Sequence, residues 1–229
     1  MIIGGGMIAN ALQSIDEDTL LFFCSGVSNS GEENDEAFKR EETILMSFTG
    51  THRKLIYFSS YFVNFQNYSL NKYYQHKIHM EQLIRKSFNE YTIYRLPQVV
   101  GRSNNPNTLT NFIANKIIEQ ETLTLYSGAR RNLIDIDDVV KVLNYANHNS
   151  LFINQSINLI TPINYTIDEI VDTFTSVMDV KVLKEVIPSN EQELESLLEE
   201  EIKIVYTKLG ITFDMFYLQN LIKKYYTRS

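Results

Sequence analysis

Three side chains near the middle of the chain bring together a hydroxyl, a phenol and an ammonium group. Ser60 follows the apolar run 55–58, Tyr73 lies thirteen residues after Ser60, and Lys77 lies four residues further on. If the segment from about residue 69 onward is a helix, Tyr73 and Lys77 stand on one face, because residues four apart are neighbours on a helix. The three groups could then act on the same atom.

Together these groups indicate proton transfer at a carbonyl or alcohol. A phenol has a pKa of about 10, and lowering it to about 7 requires the phenolate to be stabilised by roughly 4 kcal/mol. The ammonium group of Lys77 would supply much of that stabilisation. Tyr73 could then give a proton to a carbonyl oxygen, or take one from an alcohol, while hydride moves to or from a cofactor. Ser60 would hold the same oxygen by a hydrogen bond.

The Tyr-x-x-x-Lys spacing is not specific by itself. With 14 tyrosines among 229 residues, about one such pair is expected by chance, and a second pair, Tyr68 and Lys72, is present. We favour Tyr73 with Lys77 because Glu81 continues their helical pattern, whereas Tyr68 precedes the expected start of the helix. Considered alone, the pair could equally be surface residues of an amphipathic helix.

The elements that must position these groups follow from the hydrophobic pattern. The run 55–58 predicts a strand covered on both faces, whose carboxyl end lies at the edge where open α/β sheets bind ligands. Further strands are predicted at residues 1–3, 20–24, 92–97, 156–160 and 180–186. Helices are predicted at residues 36–48, 109–119, 167–178 and 215–226. In the second of these helices we expect a core stripe formed by Phe112, Ile113, Ala114 and Ile117. Thr166 and Glu169 form a capping box at the start of the third.

A glycine-rich turn connects the first predicted strand to a helix. Its pattern, Gly4-x-Gly6-x-x-Ala9, lets the backbone approach a pyrophosphate and places that phosphate at a helix N-terminus. Glycines at a tight turn need no ligand, so the pattern is weak by itself. Its position in a strand-helix-strand unit strengthens the prediction of a dinucleotide site.

The Ser60, Tyr73 and Lys77 set resembles that of the short-chain dehydrogenase/reductase superfamily. More narrowly, the chain resembles the extended or atypical NAD-dependent epimerase/dehydratase branch, which modifies nucleotide sugars. The resemblance implies an α/β fold in which a Rossmann-like parallel sheet carries helices on both faces. It implies a single domain over residues 1–229, with residues 102–135 and 150–229 contributing a small substrate-binding lobe. It also implies that Ser60, Tyr73 and Lys77 are catalytic.

The same resemblance implies a site for NAD or NADP. Its cofactor-binding residues would be Gly4, Gly6, Met7, Ile8, Cys24, Ser25, Gly26, Pro97 and Val99. On this alignment the segment FFCSGVSNS corresponds to the family's fourth strand, so the second and third strands are missing and the sheet is abbreviated at its adenosine-binding side. Cys24 stands at about the distance where the usual fold carries an acid that reads the ribose.

Two further residues are implied to bind the substrate. Gln98 lies in Arg-Leu-Pro-Gln-Val-Val-Gly, where many relatives carry Asn, and Arg131 matches an arginine that meets the diphosphate of a nucleotide sugar. A guanidinium suits bidentate phosphate contact, although Arg130 and Arg131 could also be exposed turn residues. The resemblance further implies a helix that begins at Asp138.

Composition limits the class of protein. The single cysteine, Cys24, excludes an internal disulfide and is typical of a reducing compartment. No apolar run approaches the roughly 18 residues that span a bilayer, and the start lacks the basic region of a signal peptide, so we expect a soluble cytoplasmic protein that binds no membrane. The formal charge of -7 argues against nucleic-acid binding. The acidic run 191–201 favours a solvated face.

No metal site is expected, because the four histidines have no convincing ligand spacing. His76 and His79 are expected to face solvent on the catalytic helix. Relatives commonly pair through this helix, which implies a homodimer contact at Met80, Leu83 and Ile84, although core packing explains these residues equally well.

The leading hypothesis is an NAD(P)-dependent reductase or epimerase that acts on a nucleotide-linked keto-sugar in surface polysaccharide biosynthesis. The smaller substrate lobe favours the reductase. The alternative is a non-catalytic dinucleotide-sensing or regulatory protein with an eroded fold, which the missing strands favour and the intact Ser60, Tyr73 and Lys77 set disfavours.

Overall fold

A computed structural model of the protein describes residues 1–68, 70–188 and 197–227, which form two compact units. Unit 1 comprises Met1–Leu96 and Val139–Leu159, and unit 2 comprises Pro97–Asp138 and Ile160–Ser229. The strands are β1 (Ile2–Ile3), β2 (Leu20–Phe23), β3 (Lys54–Ser60), β4 (Tyr91–Leu96), β5 (Gln98–Val100), β6 (Leu123–Tyr126), β7 (Arg130–Asp135), β8 (Gln155–Asn158), β9 (Asn164–Thr166) and β10 (Lys184–Ile187). The helices are α1 (Met7–Ala11), α2 (Asp35–Met46), α3 (Lys72–Ser87), α4 (Leu109–Ile118), α5 (Ile136–His148), α6 (Ile167–Met178), α7 (Glu200–Leu209) and α8 (Tyr217–Tyr226).

Unit 1 is built on a parallel sheet of five strands in the order β1-β2-β3-β4-β8. The register places Ser60 beside Leu96, and Arg95 beside Asn158, so the carboxyl ends of β3, β4 and β8 meet at one edge. All residues of β2 and β3 are buried. For β3 this confirms the prediction of an apolar strand covered on both faces.

The strand order confirms that the sheet is abbreviated. In a doubly wound dinucleotide fold the first strand lies in the interior, because the second and third strands extend the sheet on its far side. Here β1 pairs directly with β2, and among the described residues no strand lies beyond it. The Rossmann-like α/β class is therefore confirmed, together with the loss of the strands that normally carry the adenosine half of the site.

Helices α2 and α3 pack on one face of this sheet. Alternate residues of the strands point toward them, as the period of two in a strand requires. The core on this face is formed by Leu21, Phe23, Leu45, Leu55, Tyr57, Met80, Ile84, Phe88, Tyr91 and Ile93. Met80 and Ile84 are fully buried within the unit, and Leu83 packs against the same cluster. Core packing therefore accounts for the residues that were considered for a dimer contact.

Side-chain caps fix where several helices begin. Asn34, Asn71 and Thr108 each accept a hydrogen bond from a backbone N–H in the first turn of α2, α3 and α4, which satisfies a donor that the helix leaves unpaired. Helix α3 begins at Lys72, slightly later than expected, and residue 69 itself lies outside the described residues. The predicted capping box of Thr166 and Glu169 is present, and α6 has the predicted bounds.

Unit 2 contains two small sheets, β5-β7-β9 and β10-β6. Strands β5 and β7 are parallel, whereas β7 and β9 are antiparallel. Helices α4, α6 and α8 supply most of a separate core, which includes Ile113, Ala114, Ile117, Leu133, Ile170, Val171, Phe174, Leu218, Leu221 and Ile222. Residues 150–159 lie in unit 1, because β8 pairs with β4, whereas the sequence assigned them to the substrate lobe.

Several local predictions are wrong. Phe112 is 46% exposed, because the buried face of α4 is formed by Thr110, Ile113, Ala114 and Ile117. Strand β10 begins at Lys184, and the last helix begins at Tyr217, with Met215 exposed before it. Helix α5 begins at Ile136 rather than Asp138.

In the acidic run 191–201, residues 191–196 lie outside the described part of the chain. No helix in the described ranges is long and apolar enough to cross a membrane.

Candidate active site

Ser60 is the last residue of β3 and lies at the carboxyl edge of the sheet. Its hydroxyl oxygen accepts a hydrogen bond of 3.3 Å from the backbone N–H of Phe62, and so caps the 3-10 turn Tyr61–Asn64. Because the hydroxyl acts only as acceptor in this bond, its own proton can still be donated. The turn packs on the start of α3, where the rings of Phe62 and Tyr74 lie 6.1 Å apart. The local fold thus brings the end of β3 close to the first turn of α3.

Tyr73 and Lys77 lie on α3 and are both buried. The Lys77 Nζ atom is 5.6 Å from the centroid of the Tyr73 ring, within the range of a cation–π contact. The competing pair does not share a helical face, since Tyr68 precedes the Asn71 cap. Lys72 is exposed and contacts the Asp35 carboxylate. Of the two Tyr-x-x-x-Lys pairs, only Tyr73 and Lys77 therefore stand together on a helix.

A buried carboxylate, Glu41 of α2, holds Lys77. Its Oε1 accepts hydrogen bonds from the Lys77 ammonium at 3.0 Å and from the Tyr57 hydroxyl at 2.7 Å. Its Oε2 accepts one from the backbone N–H of Val27 at 2.7 Å and lies 3.0 Å from Nε2 of His76. Burial alone would raise the pKa of Glu41, but Lys77 and these hydrogen bonds outweigh it and hold the pKa well below its usual range. Glu41 is therefore an ionised partner for Lys77.

The expected lowering of the Tyr73 pKa is wrong for this structure. Burial, and after it the negative charge of Glu41, raise the pKa of the Tyr73 phenol above its ordinary value. Lys77 is bonded to Glu41, so the charge that was expected to stabilise the phenolate is offset by a carboxylate. The phenol is consequently protonated at neutral pH.

The prediction that His76 faces solvent is also wrong. His76 is 8% exposed, and its ring lies 4.7 Å from that of Phe38 in addition to its contact with Glu41. His79 does face solvent, where it contacts Glu42 at 3.1 Å. Among the described residues, no group of three or more side chains is placed to hold a metal ion.

A second buried carboxylate, Glu81 of α3, binds Arg95 at the end of β4. Two nitrogens of Arg95 donate to the two oxygens of Glu81, at 2.8 and 2.6 Å. Arg95 also donates to Oδ1 of Asn64 at 2.7 Å, and Asn64 in turn donates to Oδ1 of Asn158 at 2.8 Å. These bonds fix the turn that follows Ser60 to the ends of β4 and β8. The network thereby helps to set the position of Ser60.

The glycine turn and the end of β2 have the backbone geometry of a cofactor site in part. Gly4 has φ +126°, and a Cβ there would lie 2.6 Å from the carbonyl oxygen of Cys24, so only glycine fits. Apart from the adjoining backbone, no heavy atom of the described residues lies within 4 Å of a Cβ built at Gly5 or Gly6, so the backbone there is open to a ligand. A Cβ at Gly26 would lie 2.8 Å from Lys77 Nζ, which places this glycine directly against the Lys77 side chain.

Met7, Ile8, Cys24 and Ser25, which are also predicted cofactor residues, lie around the same turn, whereas the predicted cofactor residues Pro97 and Val99 belong to unit 2. Met7 and Ile8 are half-buried in the first turn of the five-residue helix α1. Ser25 accepts a hydrogen bond at its carbonyl from Arg40, at 3.4 Å. Burial raises the pKa of the Cys24 thiol to about 12, so the thiol is neutral. The residues present thus suit the pyrophosphate and nicotinamide side of a dinucleotide, whereas the described part of unit 1 has no strand for the adenosine side.

The predicted substrate residues lie in unit 2. Gln98 belongs to β5 and pairs with Leu133 of β7. Val99, which was predicted to bind the cofactor, follows it on β5 and pairs with Ile134. Arg131 is half-buried on β7 and donates to the carbonyl of Arg130 at 2.8 Å. It is therefore a strand residue and not part of an exposed turn.

The start of α5 is held by Asp135 rather than by Asp138. The Asp135 carboxylate accepts a hydrogen bond from the backbone N–H of Asp137 at 2.9 Å, and it also binds Lys224 and Tyr225 of α8 at 2.6 Å each. Asp138 lies in the first turn and accepts a hydrogen bond from the Tyr217 hydroxyl at 3.1 Å. The acidic residue that matters for the start of the helix is therefore three positions earlier than the resemblance implies.

Sequence reasoning did not predict the buried contacts of Glu41, His76 and Glu81. One signal was available for Glu41, because Phe38, Glu41 and Leu45 follow the spacing of a buried helical stripe. A carboxylate in such a stripe is rarely buried without a charged partner. That signal indicates a buried ion pair, but it does not identify which lysine or histidine completes it.

Comparison with known proteins tests the family and the fold. Residues 51–159 match the NAD dependent epimerase/dehydratase family, which confirms the resemblance seen in the sequence. No curated protein sequence matches the chain significantly. The fold is similar to that of UDP-glucuronic acid 4-epimerase from Bacillus cereus, solved with UDP-glucuronic acid and NAD, with TM-score 0.70 and 17% identity over 95% of this chain and 76% of that one.

Two other solved structures have the same fold. UDP-glucose 4-epimerase from Bifidobacterium longum, in complex with NAD+ and UDP, has TM-score 0.70 and 14% identity, over 96% of this chain and 80% of that chain. RMD from Pseudomonas aeruginosa, in complex with NADPH, has TM-score 0.65 and 13% identity, over 89% of this chain and 78% of that chain.

Proposed function

Taking residues 51–159 as a segment of the NAD dependent epimerase/dehydratase family, we propose that this protein is an NAD(P)-dependent reductase or epimerase that acts on a nucleotide-linked keto-sugar. The observation that carries the proposal is the placement of Ser60 at the carboxyl end of β3 with Tyr73 and Lys77 on the adjoining helix α3. A hydroxyl, a phenol and an ammonium group at that edge can act on one substrate oxygen.

In the reducing direction each side chain has a distinct role. As a carbonyl carbon of the sugar accepts hydride, its oxygen takes the phenolic proton of Tyr73. The hydroxyl of Ser60 donates a hydrogen bond to the same oxygen and holds it in place. Lys77 stabilises the phenolate that Tyr73 becomes, and solvent then returns the proton. Epimerisation would use the same groups in both directions.

The cofactor supplies or accepts the hydride when it is bound. Gly5 and Gly6, with open backbone at the turn after β1, would approach its pyrophosphate. Cys24, Ser25 and Gly26, at the end of β2, would lie along its nicotinamide side. NAD and NADP both remain within the proposal, because solved proteins of this fold bind one or the other.

The substrate class is supported by solved proteins of the same fold that bind UDP-sugars or UDP. In our proposal Arg131 binds the diphosphate, and Gln98 binds the sugar or the nicotinamide. Unit 2, with residues 102–135 and the chain after β8, would form the substrate lobe. We further propose that the product is used in surface polysaccharide biosynthesis, that the enzyme is cytoplasmic and that it forms a homodimer.

A second candidate function is non-catalytic dinucleotide sensing. Two observations favour it: within the described ranges the sheet ends at β1 without the adenosine-side strands, and Glu41 offsets the charge of Lys77. A sensor of this kind would bind a nicotinamide dinucleotide without turnover, and replacing Ser60, Tyr73 and Lys77 together would leave its output unchanged.

A titration with NADPH and NADH, followed by nicotinamide fluorescence, separates the two functions. We expect micromolar binding of one of them, and turnover with UDP-linked keto-sugars. Tyr73→Phe should lower turnover by at least about 100-fold and leave cofactor affinity near that of the wild type. Tyr68→Phe, from the other Tyr-x-x-x-Lys pair, is the matched control and should retain activity.

Each contrary outcome has a definite meaning. Full activity in Tyr73→Phe would overturn the catalytic assignment. Cofactor binding without turnover of any keto-sugar would favour the sensor, and no binding at millimolar cofactor would overturn both readings.

A further inference from the structure

We propose that Glu41 is a positioning residue, which fixes the ammonium group of Lys77 and keeps Tyr73 protonated, so that the site is set to deliver a proton to a carbonyl oxygen. The assignment of a reducing direction rests on the proposed function, whereas the arrangement of charges does not. The inference goes beyond the Ser60, Tyr73 and Lys77 set, because it names a residue on a different helix that determines how that set behaves.

Glu41 has the contacts that such a role requires. It is fully buried on α2, and both of its oxygens are occupied by hydrogen-bond partners from α3, β3 and the loop after β2. Lys77 contacts Glu41 at 3.0 Å and the Tyr57 hydroxyl at 3.2 Å, and is 2% exposed. A lysine held on several sides in this way has little freedom to move, so the position of its charge beside Tyr73 is fixed.

Charged groups act on Tyr73 from two helices. The Lys77 ammonium of α3 lies 5.6 Å from the centroid of the Tyr73 ring, and the negative charge of Glu41 on α2 acts on the phenol. Tyr57 of β3 and His76 of α3 contact the Glu41 carboxylate. Lys77 favours the phenolate and Glu41 opposes it, so the two offset each other and burial then favours the neutral phenol. The raised pKa of Tyr73 agrees with this arrangement.

A protonated phenol at neutral pH is a proton donor and a poor base. Reduction needs the donor, because the carbonyl oxygen must gain a proton when its carbon gains hydride. Oxidation of an alcohol needs the base, and hence the phenolate. The arrangement around Glu41 therefore favours reduction over the alternating oxidation and reduction of an epimerase.

The first test requires no turnover. In protein labelled with tyrosine that carries ¹³C at Cζ, the Tyr73 signal, assigned with Tyr73→Phe, is followed by NMR as the pH is raised. In the wild type we expect it to remain that of a phenol through about pH 10, the ordinary pKa of tyrosine. Titration of wild-type Tyr73 below that pH would overturn the inference, whether or not any variant folds.

The second test changes the charge. In Glu41→Gln, which retains an oxygen acceptor for Lys77, the Tyr73 signal should titrate at least about one pH unit lower than in the wild type, as expected when a nearby like charge is removed. Glu42→Gln removes the neighbouring carboxylate of α2, which is exposed, and should leave Tyr73 unchanged. An unchanged or higher titration in Glu41→Gln would overturn the inference, since a purely structural role gives no such directed shift.

Kinetics separate the inference from the proposed function. If keto-sugars are reduced, the fall in kcat at high pH should begin at lower pH in Glu41→Gln than in the wild type, with the KM for the cofactor unchanged. If nothing is turned over but Tyr73 titrates as expected, the proposed function fails and the role of Glu41 stands. If turnover is found but Tyr73 titrates at its ordinary pKa, the proposed function stands and the role of Glu41 fails.

Discussion

Two adjacent glutamates of α2 each contact a histidine of α3, and burial makes their roles different. Glu41 lies 3.0 Å from His76 in the interior, and Glu42 lies 3.1 Å from His79 at the surface. The side chains of the first pair are 0% and 7% exposed, whereas those of the second are 41% and 49% exposed. The two contacts therefore join the same helices through the same chemical groups at nearly the same distance, but one contact is buried and the other is exposed to water.

The comparison shows that distance alone does not determine what a polar contact contributes. Water and salt screen the contact between Glu42 and His79, so their attraction is weak. Glu41 has lost its hydration, and its charge is tolerated only because Lys77, Tyr57 and Val27 replace that hydration with hydrogen bonds. Removing a partner therefore costs far more in the interior than at the surface.

The largest expected effect comes from truncating the two glutamates. Glu41→Ala should lower the free energy of unfolding by about 3–5 kcal/mol, because it leaves the Lys77 charge buried without a counter-ion. Glu42→Ala should lower it by no more than about 1 kcal/mol. Urea denaturation measures both variants, and a difference of less than about 1 kcal/mol between them would contradict the comparison.

A smaller effect is expected from crowding the buried pair. In Gly26→Ala the added methyl group would lie 2.8 Å from Lys77 Nζ and 3.0 Å from Glu41 Oε1. We expect a loss of about 1–3 kcal/mol, the usual cost of overpacking, since neither side chain has room to withdraw. Gly31→Ala, whose nearest neighbour would be at 3.5 Å, is the control and should change the unfolding free energy by less than about 0.5 kcal/mol. Equal unfolding free energies for the two variants would show that Lys77 and Glu41 can move to make room for the methyl group.

The mildest effect is expected in the dependence of stability on pH. The pKa of Glu41 is lowered in the folded protein, so below the unfolded value of about 4.3 the unfolded state binds more protons. Its contribution is thus complete above that pH and is lost as the pH falls. Between about pH 4 and 3 the wild type should lose stability more steeply than Glu41→Gln, by no more than about 1.4 kcal/mol per pH unit. Parallel urea midpoints for the two proteins would contradict this.

Much of the fold could be predicted because its signals are local. The apolar run of β3, the helical spacing of Tyr73, Lys77 and Glu81, and the capping box at Thr166 act over a few residues. The structure places these elements close to the predicted positions. The placement of Ser60 at a strand end, and of Tyr73 and Lys77 on one helical face, followed from the same local reasoning.

The features that escaped prediction depend on contacts between distant parts of the chain. His76 and Lys77 meet Glu41 across 35 and 36 residues of sequence, so their burial and the raised pKa of Tyr73 could not be inferred from spacing. Phe112 escaped for a different reason. The stripe that packs on the core of unit 2 passes through Ile113 and Ile117, and Phe112 lies just outside it.

The order of the strands in the five-stranded sheet also affects how the protein folds. From β1 to β4, each strand pairs with the next strand along the chain. The sheet can therefore grow by one short crossover at a time, and each addition closes only a modest loop, which keeps the entropic cost of each step low. Strand β8 is the exception, because the chain must first pass through residues 97–138 of unit 2 before it returns to β4. We therefore expect β8 to join the sheet last.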